Sequence, residues 1–116
     1  MPDLDALLPL SPATYQILLA LAGRDRHGYA ILKAVERQAG RAVRLGPGTL
    51  YAAIRRLEDQ QLITESDWRP DPDLDDERRR YYRLTSLGRS VLVAETDRLQ
   101  AAVKVARRVL GDARAR

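Results

Sequence analysis

The chain has 116 residues with a formal charge of +4 and a pI near 9.8, enough for one domain with a modest core. It has no cysteine and one histidine, which excludes a disulfide framework, a cysteine-based metal site and a His-rich one. The longest apolar run is far short of a membrane span and the N-terminus is acidic, so the expectation is a soluble, cytoplasmic protein without membrane contact.

Eighteen of the twenty basic residues are arginine, whose planar fork suits phosphates and base edges. A solvated, arginine-rich surface would have the same composition, so the placement of the arginines has to decide.

No Phe occurs, and the core must come from Leu, Ile, Val, Ala and Tyr. A first helix is expected from Ser11 as N-cap and Pro12 at the first helical position. Ala13, Ile17, Leu18 and Leu21 share one face, Leu19 and Ala20 widen it, and Gly23 ends it. A second helix follows His27, with Ala30, Ile31, Ala34, Val35 and Gln38 inward, until Gly40 stops it. Residues 42–45 read as extended. A third helix runs from Pro47 to about Gln60, with Leu50, Ile54 and Leu57 inward.

Residues 62–66 alternate and read as a strand, and residues 80–85 as a second, rich in β-formers. Between them WRPDPDLDDERR holds two prolines and five acids, an exposed hairpin tip. Tyr81 and Tyr82 point to opposite faces of their strand. One is expected in the core and the other against the backbone of a bound partner or the hairpin partner; the pattern does not say which. A fourth helix, capped by Thr85 or Ser86, passes Val109. The fold class is therefore mainly α with a small β-hairpin: a winged helix-turn-helix over residues 1–85 and a long C-terminal helix over 86–116.

The turn before the third helix, Gly46-Pro47-Gly48, leaves unbonded N–H groups at a positive dipole end, a place for phosphate. A nucleotide-binding P-loop would continue Gly-Lys-Ser/Thr, whereas Thr49-Leu50-Tyr51 follows. On a helical wheel Gly48, Ala52, Arg55, Arg56 and Asp59 face out, with Thr49 and Tyr51 on the flanks. A face that is small at its start and arginine-bearing in its middle suits close approach to a duplex better than plain solvent.

These residues, taken together, resemble the PadR family of transcriptional regulators. The matching stretches are His27-Gly28-Tyr29-Ala30-Ile31, Gly48-Thr49-Leu50-Tyr51 with Arg56-Leu57-Glu58, Leu62-Ile63, and residues 79–85 with Gly88, covering the chain from about Leu10 to Leu110. The resemblance implies a homodimeric winged-helix protein that binds double-stranded operator DNA and usually represses. It also implies dimer contacts on the C-terminal helix and, in many relatives, a small aromatic or cationic effector. The DNA-contact candidates are then Gly48, Thr49, Tyr51, Ala52, Arg55, Arg56, and Arg79 and Arg80 at the wing base.

On the fourth helix Leu92, Leu99, Val103, Ala106 and Leu110 form a heptad-like stripe, beside a second of Val91, Ala94, Ala102, Val105 and Val109. Two apolar stripes on so long a helix need a second partner, and self-association supplies it. Asp71, Asp73 and Asp75 mimic a calcium loop, but its glycine and glutamate positions hold Asp76 and Tyr82, so no metal is expected. No motif implies a cofactor or a catalytic constellation. His27 is expected to start the second helix, Tyr29 to pack on the first, and Trp68 to cover the wing's apolar side rather than stack on a ligand. The acidic wing tip leaves a second reading, a winged-helix protein-interaction module that does not bind DNA.

Overall fold

The computed structural model describes residues 3–68 and 79–111 of the chain. Ser11 Oγ accepts the amide of Thr14 at 3.1 Å and Pro12 occupies the first turn, so α1 (Pro12–Gly23) begins at its cap signal. α2 (Gly28–Ala39) starts at His27, whose Nδ1 accepts the Ala30 amide at 3.1 Å. Gly40 ends α2 at φ +57°, a backbone region that glycine enters without strain. A 3-10 turn over Gly40–Ala42 follows, and Val43 leaves it extended. The expected extended stretch is therefore partly a helical turn.

α3 (Pro47–Asp59) buries Leu50, Ala53, Ile54 and Leu57. These pack with Ile17, Leu18 and Leu21 of α1 and with Ile31, Ala34 and Val35 of α2. Two positions differ from the expected pattern. Leu19 faces out, and Gln38 lies outside the core, where its amide donates to the Gln16 carbonyl and side chain at 3.0 Å.

β2 (Ile63–Ser66) and β3 (Tyr81–Leu84) form the wing, antiparallel and registered with Ile63 opposite Leu84 and Ser66 opposite Tyr81. A third strand, β1 (Arg26–His27), pairs with the other edge of β3, Arg26 opposite Tyr82. The sheet order is β1-β3-β2. Two residues show no alternation, so β1 left no periodic trace in the sequence. Its presence makes β3 central, and both tyrosines are buried. The expectation that only one of them would be buried is corrected. Tyr82 belongs to the main core. Tyr81 is enclosed edge-to-face by His27 (5.2 Å) and Trp68 (5.7 Å), with Arg24 over the indole. Trp68 thus covers the wing base, as expected.

α4 (Ser86–Leu110) is capped by Thr85, whose Oγ1 accepts the Gly88 amide and donates to the Gln61 carbonyl. Its first turns bury Gly88, Val91, Leu92 and Glu95; its last turns, from residue 96 on, are exposed along their whole circumference.

Glu95, 1% exposed, carried no signal in the sequence. Its carboxylate accepts from Arg98 and from the Leu10 amide, 2.8 Å away, tying the N-terminal segment to α4. The Arg98 hydrogen bonds, with help from the Leu10 amide, outweigh burial and hold the Glu95 carboxyl below its ordinary 4.5. A carboxyl more acidic in the folded state stabilises the fold above its unfolded value, and this is lost as pH falls through the folded value. Glu95→Ala should destabilise the chain by about 1–3 kcal/mol at pH 7, because the Leu10 amide loses its partner. Urea unfolding between pH 7 and 3 checks the sign: wild type should lose stability below about pH 4.5 more steeply than Glu95→Gln. Equal slopes would contradict the assignment.

Candidate nucleic-acid interface

Gly46 takes the N-cap position of α3 with no side-chain cap, and Pro47 follows. The amides of Gly48 and Thr49 therefore point out of the helix start, at the positive end of its dipole. A Cβ built at Gly46 or Gly48 meets no neighbouring atom of the described residues within 4 Å. The chain's own packing thus places no demand for glycine at either position.

Beyond that start, Ala52 and Arg55 lie exposed on the outer line of α3, with Thr49 beside them. Arg56 is exposed but turned to one flank, its Nη2 3.4 Å from Thr14 Oγ1, near Leu7 and Pro9 of the N-terminal segment. The physical reason is the helical step: residue 56 stands beside residues 49 and 53, on the side facing α1.

Tyr51 occupies the opposite flank. Its ring stands over Gly28, where an added Cβ would come within 2.5 Å of the phenol oxygen. Tyr51 shares a cleft with Arg79 and Arg80 of the wing base. The structure therefore brings together Tyr51, Arg79 and Arg80, and sets Arg56 apart from them.

Three residues of this cleft were not candidates on sequence, His27, Gly28 and Tyr29, and a fourth, Tyr82, was one of two alternatives for a backbone contact. Tyr29, expected against α1, is 60% exposed at the start of α2. It stacks beside His27 at 6.5 Å, and Lys33 lies over its ring at 5.4 Å. An aromatic residue at the second position of a helix and off the apolar stripe was the available signal. His27 does start α2, and its Nε2 lies 3.4 Å from an Arg79 nitrogen. Arg80 approaches Glu65 at 4.0 Å, both largely exposed, a contact of little energetic consequence. The acidic tip and its aspartates, residues 69–78, lie outside the described residues, and among the described residues no acidic, His or Cys group could hold a metal.

On α4 the stripe divides. Leu92 is buried in the chain's own core, which leaves it no face for a partner. Leu99, Val103, Ala106 and Leu110 are exposed, as are Ala102, Val105 and Val109 of the second stripe. Val91 is fully buried. A groove of about 690 Å³ runs beside the first half of α4, with Leu84, Val93 and Ala94 on its apolar side and Arg83, Arg89 and Asp97 around it. No helix among the described residues is long and apolar enough to cross a membrane.

Comparison with known proteins agrees with this architecture. Over 95 residues the chain is 36% identical to a transcriptional regulator of Mycobacterium tuberculosis, covering 82% of this chain and 79% of that one. It is 43% identical over 79 residues to an uncharacterized 37.1 kDa protein in a transposon of Streptomyces fradiae, covering 68% of this chain but a fifth of that longer protein. A PadR family transcription regulator from Clostridium difficile superposes with a TM-score of 0.70 at 29% identity, over 87% of this chain and all of the other. The model of the transcriptional regulator PadR-like family matches residues 17–94, from the middle of α1 to the middle of α4. The chain belongs to the PadR-like family of transcriptional regulators, which are not enzymes.

Proposed function

We propose that the protein is a homodimeric, cytoplasmic, sequence-specific repressor that lays α3 in the major groove of operator DNA. PadR regulators bind DNA, typically as dimers. The observation that carries the reading for this chain is the outer line of α3. It is open and small at Gly46, Gly48 and Ala52, then basic at Arg55. Small residues admit the duplex, Gly48 and Thr49 amides meet a phosphate, and Arg55 reaches a base edge or phosphate. Arg56 serves the strand on the α1 side. Tyr51, Arg79 and Arg80 serve the wing side, so backbone contacts flank the reading face.

Residues 1–85 carry the DNA contacts and residues 86–116 the dimer contacts. The exposed stripe of Leu99, Val103, Ala106 and Leu110 pairs with its copy across a two-fold axis. An effector, where the protein has one, fits the groove beside α4. Its apolar wall suits an aromatic molecule, and Asp97 on the same groove suits a cationic group.

Binding to a duplex selected from a random pool tests the reading. Phosphate contacts release counterions, so six to ten of them should cost about 10³–10⁵ in affinity between 50 and 200 mM salt. Arg55→Ala should cost about 1–3 kcal/mol, and Arg56→Ala a similar amount on any duplex. Ala52→Glu should abolish binding with unchanged circular dichroism. Binding that ignores salt, with all three variants normal, would favour a protein-interaction module instead.

A further inference from the structure

The cleft on the wing side of α3 holds an unusual group. Tyr82 is 5% exposed, yet its hydroxyl has no hydrogen-bond partner among the described residues. Buried hydroxyls are almost always satisfied, and one left alone is destabilising. Tyr82 lines a cleft of about 320 Å³ together with Gly28, Tyr29, Tyr51, Arg79 and Arg80. Tyr51 stands close enough to add to the upward shift of the Tyr82 phenol.

Three further features of the cleft suit an oxyanion. Gly28 and Tyr29 open α2, a helix of twelve residues whose first amides have no partner within the helix. Two guanidiniums, Arg79 and Arg80, stand at the rim. Glu58 and Glu65 are the acidic groups that act on Tyr82, and neither lines the cleft. Burial, followed by the Glu58 charge, pushes the Tyr82 phenol above its ordinary value of 10.0, so it remains a donor throughout the neutral range.

Gly28 makes this arrangement possible. Tyr51 lies across the start of α2 only because residue 28 has no side chain, since a Cβ there would sit 2.5 Å from the Tyr51 oxygen and 2.9 Å from Cζ. Tyr51 belongs to α3, one turn from Gly48 and one from Arg55. The cleft is therefore continuous with the reading face, which selects a backbone phosphate over a free ion.

We infer that the cleft seats one backbone phosphate of the duplex, with the Tyr82 and Tyr51 hydroxyls donating to its oxygens beside the α2 start and the wing-base arginines. This rests on α3 being the DNA-reading helix. The contact acts on any sequence, because it touches no base.

The test uses Tyr82→Phe, Tyr51→Phe and Arg55→Ala, with anisotropy at low salt on a selected operator duplex and on a random duplex of equal length. Each Tyr→Phe variant should lose about tenfold in affinity on both duplexes alike. Its salt slope should not change, since a neutral donor releases no counterion. Arg55→Ala should weaken the operator complex more than the random one. Gly28→Ala should displace Tyr51 and match Tyr51→Phe, with no further loss in the double variant. In operators carrying a single neutral methylphosphonate, one position should weaken wild type by a larger factor than it weakens Tyr82→Phe. The melting temperature of Tyr82→Phe should equal or exceed that of wild type, because the lost hydroxyl had no partner. If both Tyr→Phe variants bind both duplexes normally while Arg55→Ala is weakened, the cleft takes no phosphate although α3 reads DNA. If wild type binds neither duplex, the DNA reading and the cleft fall together.

Discussion

Gly88→Ala should unfold the protein at a much lower temperature than wild type, although alanine is the better helix former. A Cβ at residue 88 would lie 1.9 Å from the Leu62 carbonyl oxygen and 2.9 Å from its carbon. These are backbone atoms, so no rotamer change relieves the clash. The same carbonyl accepts the Thr85 amide at 3.1 Å, while the Thr85 hydroxyl donates to the Gln61 carbonyl and caps α4. Moving α4 away therefore breaks the cap as well as the packing of Val91 and Leu92. Helix propensity returns at most about 1 kcal/mol, against about 2–5 kcal/mol for the forced displacement. At roughly 4–8 °C per kcal/mol for a domain of this size, the remaining ~1–4 kcal/mol should lower the melting temperature by about 5–30 °C. A Gly88→Ala protein that melts at or above the wild-type temperature would show that α4 does not approach the Leu62 carbonyl as described.

Leu99→Asp should convert the protein from dimer to monomer and remove specific operator binding. Leu99 and Val103 are 36% and 49% exposed in the chain by itself, so a polar group there costs the monomer fold little. Across a two-fold interface the same change places a carboxylate in each copy, buried and unpaired, at several kcal/mol. Two recognition helices grip successive half-sites only while joined. Ultracentrifugation should show a monomer, or a dimer weakened at least a hundredfold. Weak, salt-sensitive binding to any duplex should survive, because Arg55, Arg79 and Arg80 are untouched. A tight Leu99→Asp dimer would place the interface elsewhere, and normal operator affinity in a monomer would remove the mechanism. Val103→Asp, one turn further along the exposed half of α4, should behave alike.

The element order was legible without the structure because its signals are local. Ser11-Pro12, His27, Gly46-Pro47 and Thr85 act on the turn that follows each of them, and Gly40 on the turn before it. The apolar spacing of Leu50, Ile54 and Leu57 reports the inner face of α3 and, by subtraction, the outer one. The motifs that resemble PadR regulators read equally well, since each lies within a few consecutive residues.

What the sequence could not decide concerns residues brought together from far apart. β1 is too short to carry a period and exists only because β3 has an open edge beside it. That third strand buries both Tyr81 and Tyr82, where alternation alone expected one. Leu92 falls within the heptad stripe, yet the core of its own chain claims it, because the first half of α4 lies against the preceding helices and the second half does not. Arg56 was placed outward by the wheel and lies toward Thr14, since which side of a helix counts as outside depends on its neighbours. Glu95 reads as one more charged residue on a long helix until Leu10, 85 positions earlier, supplies its amide. Composition, caps and periodicity by themselves determined a winged helix whose third helix has an outer face that is small at its start and arginine-bearing in its middle. Which arginine faces which flank, and which tyrosine stands behind Gly28, was decided only by tertiary packing, because those contacts depend on distances between elements that no local pattern encodes.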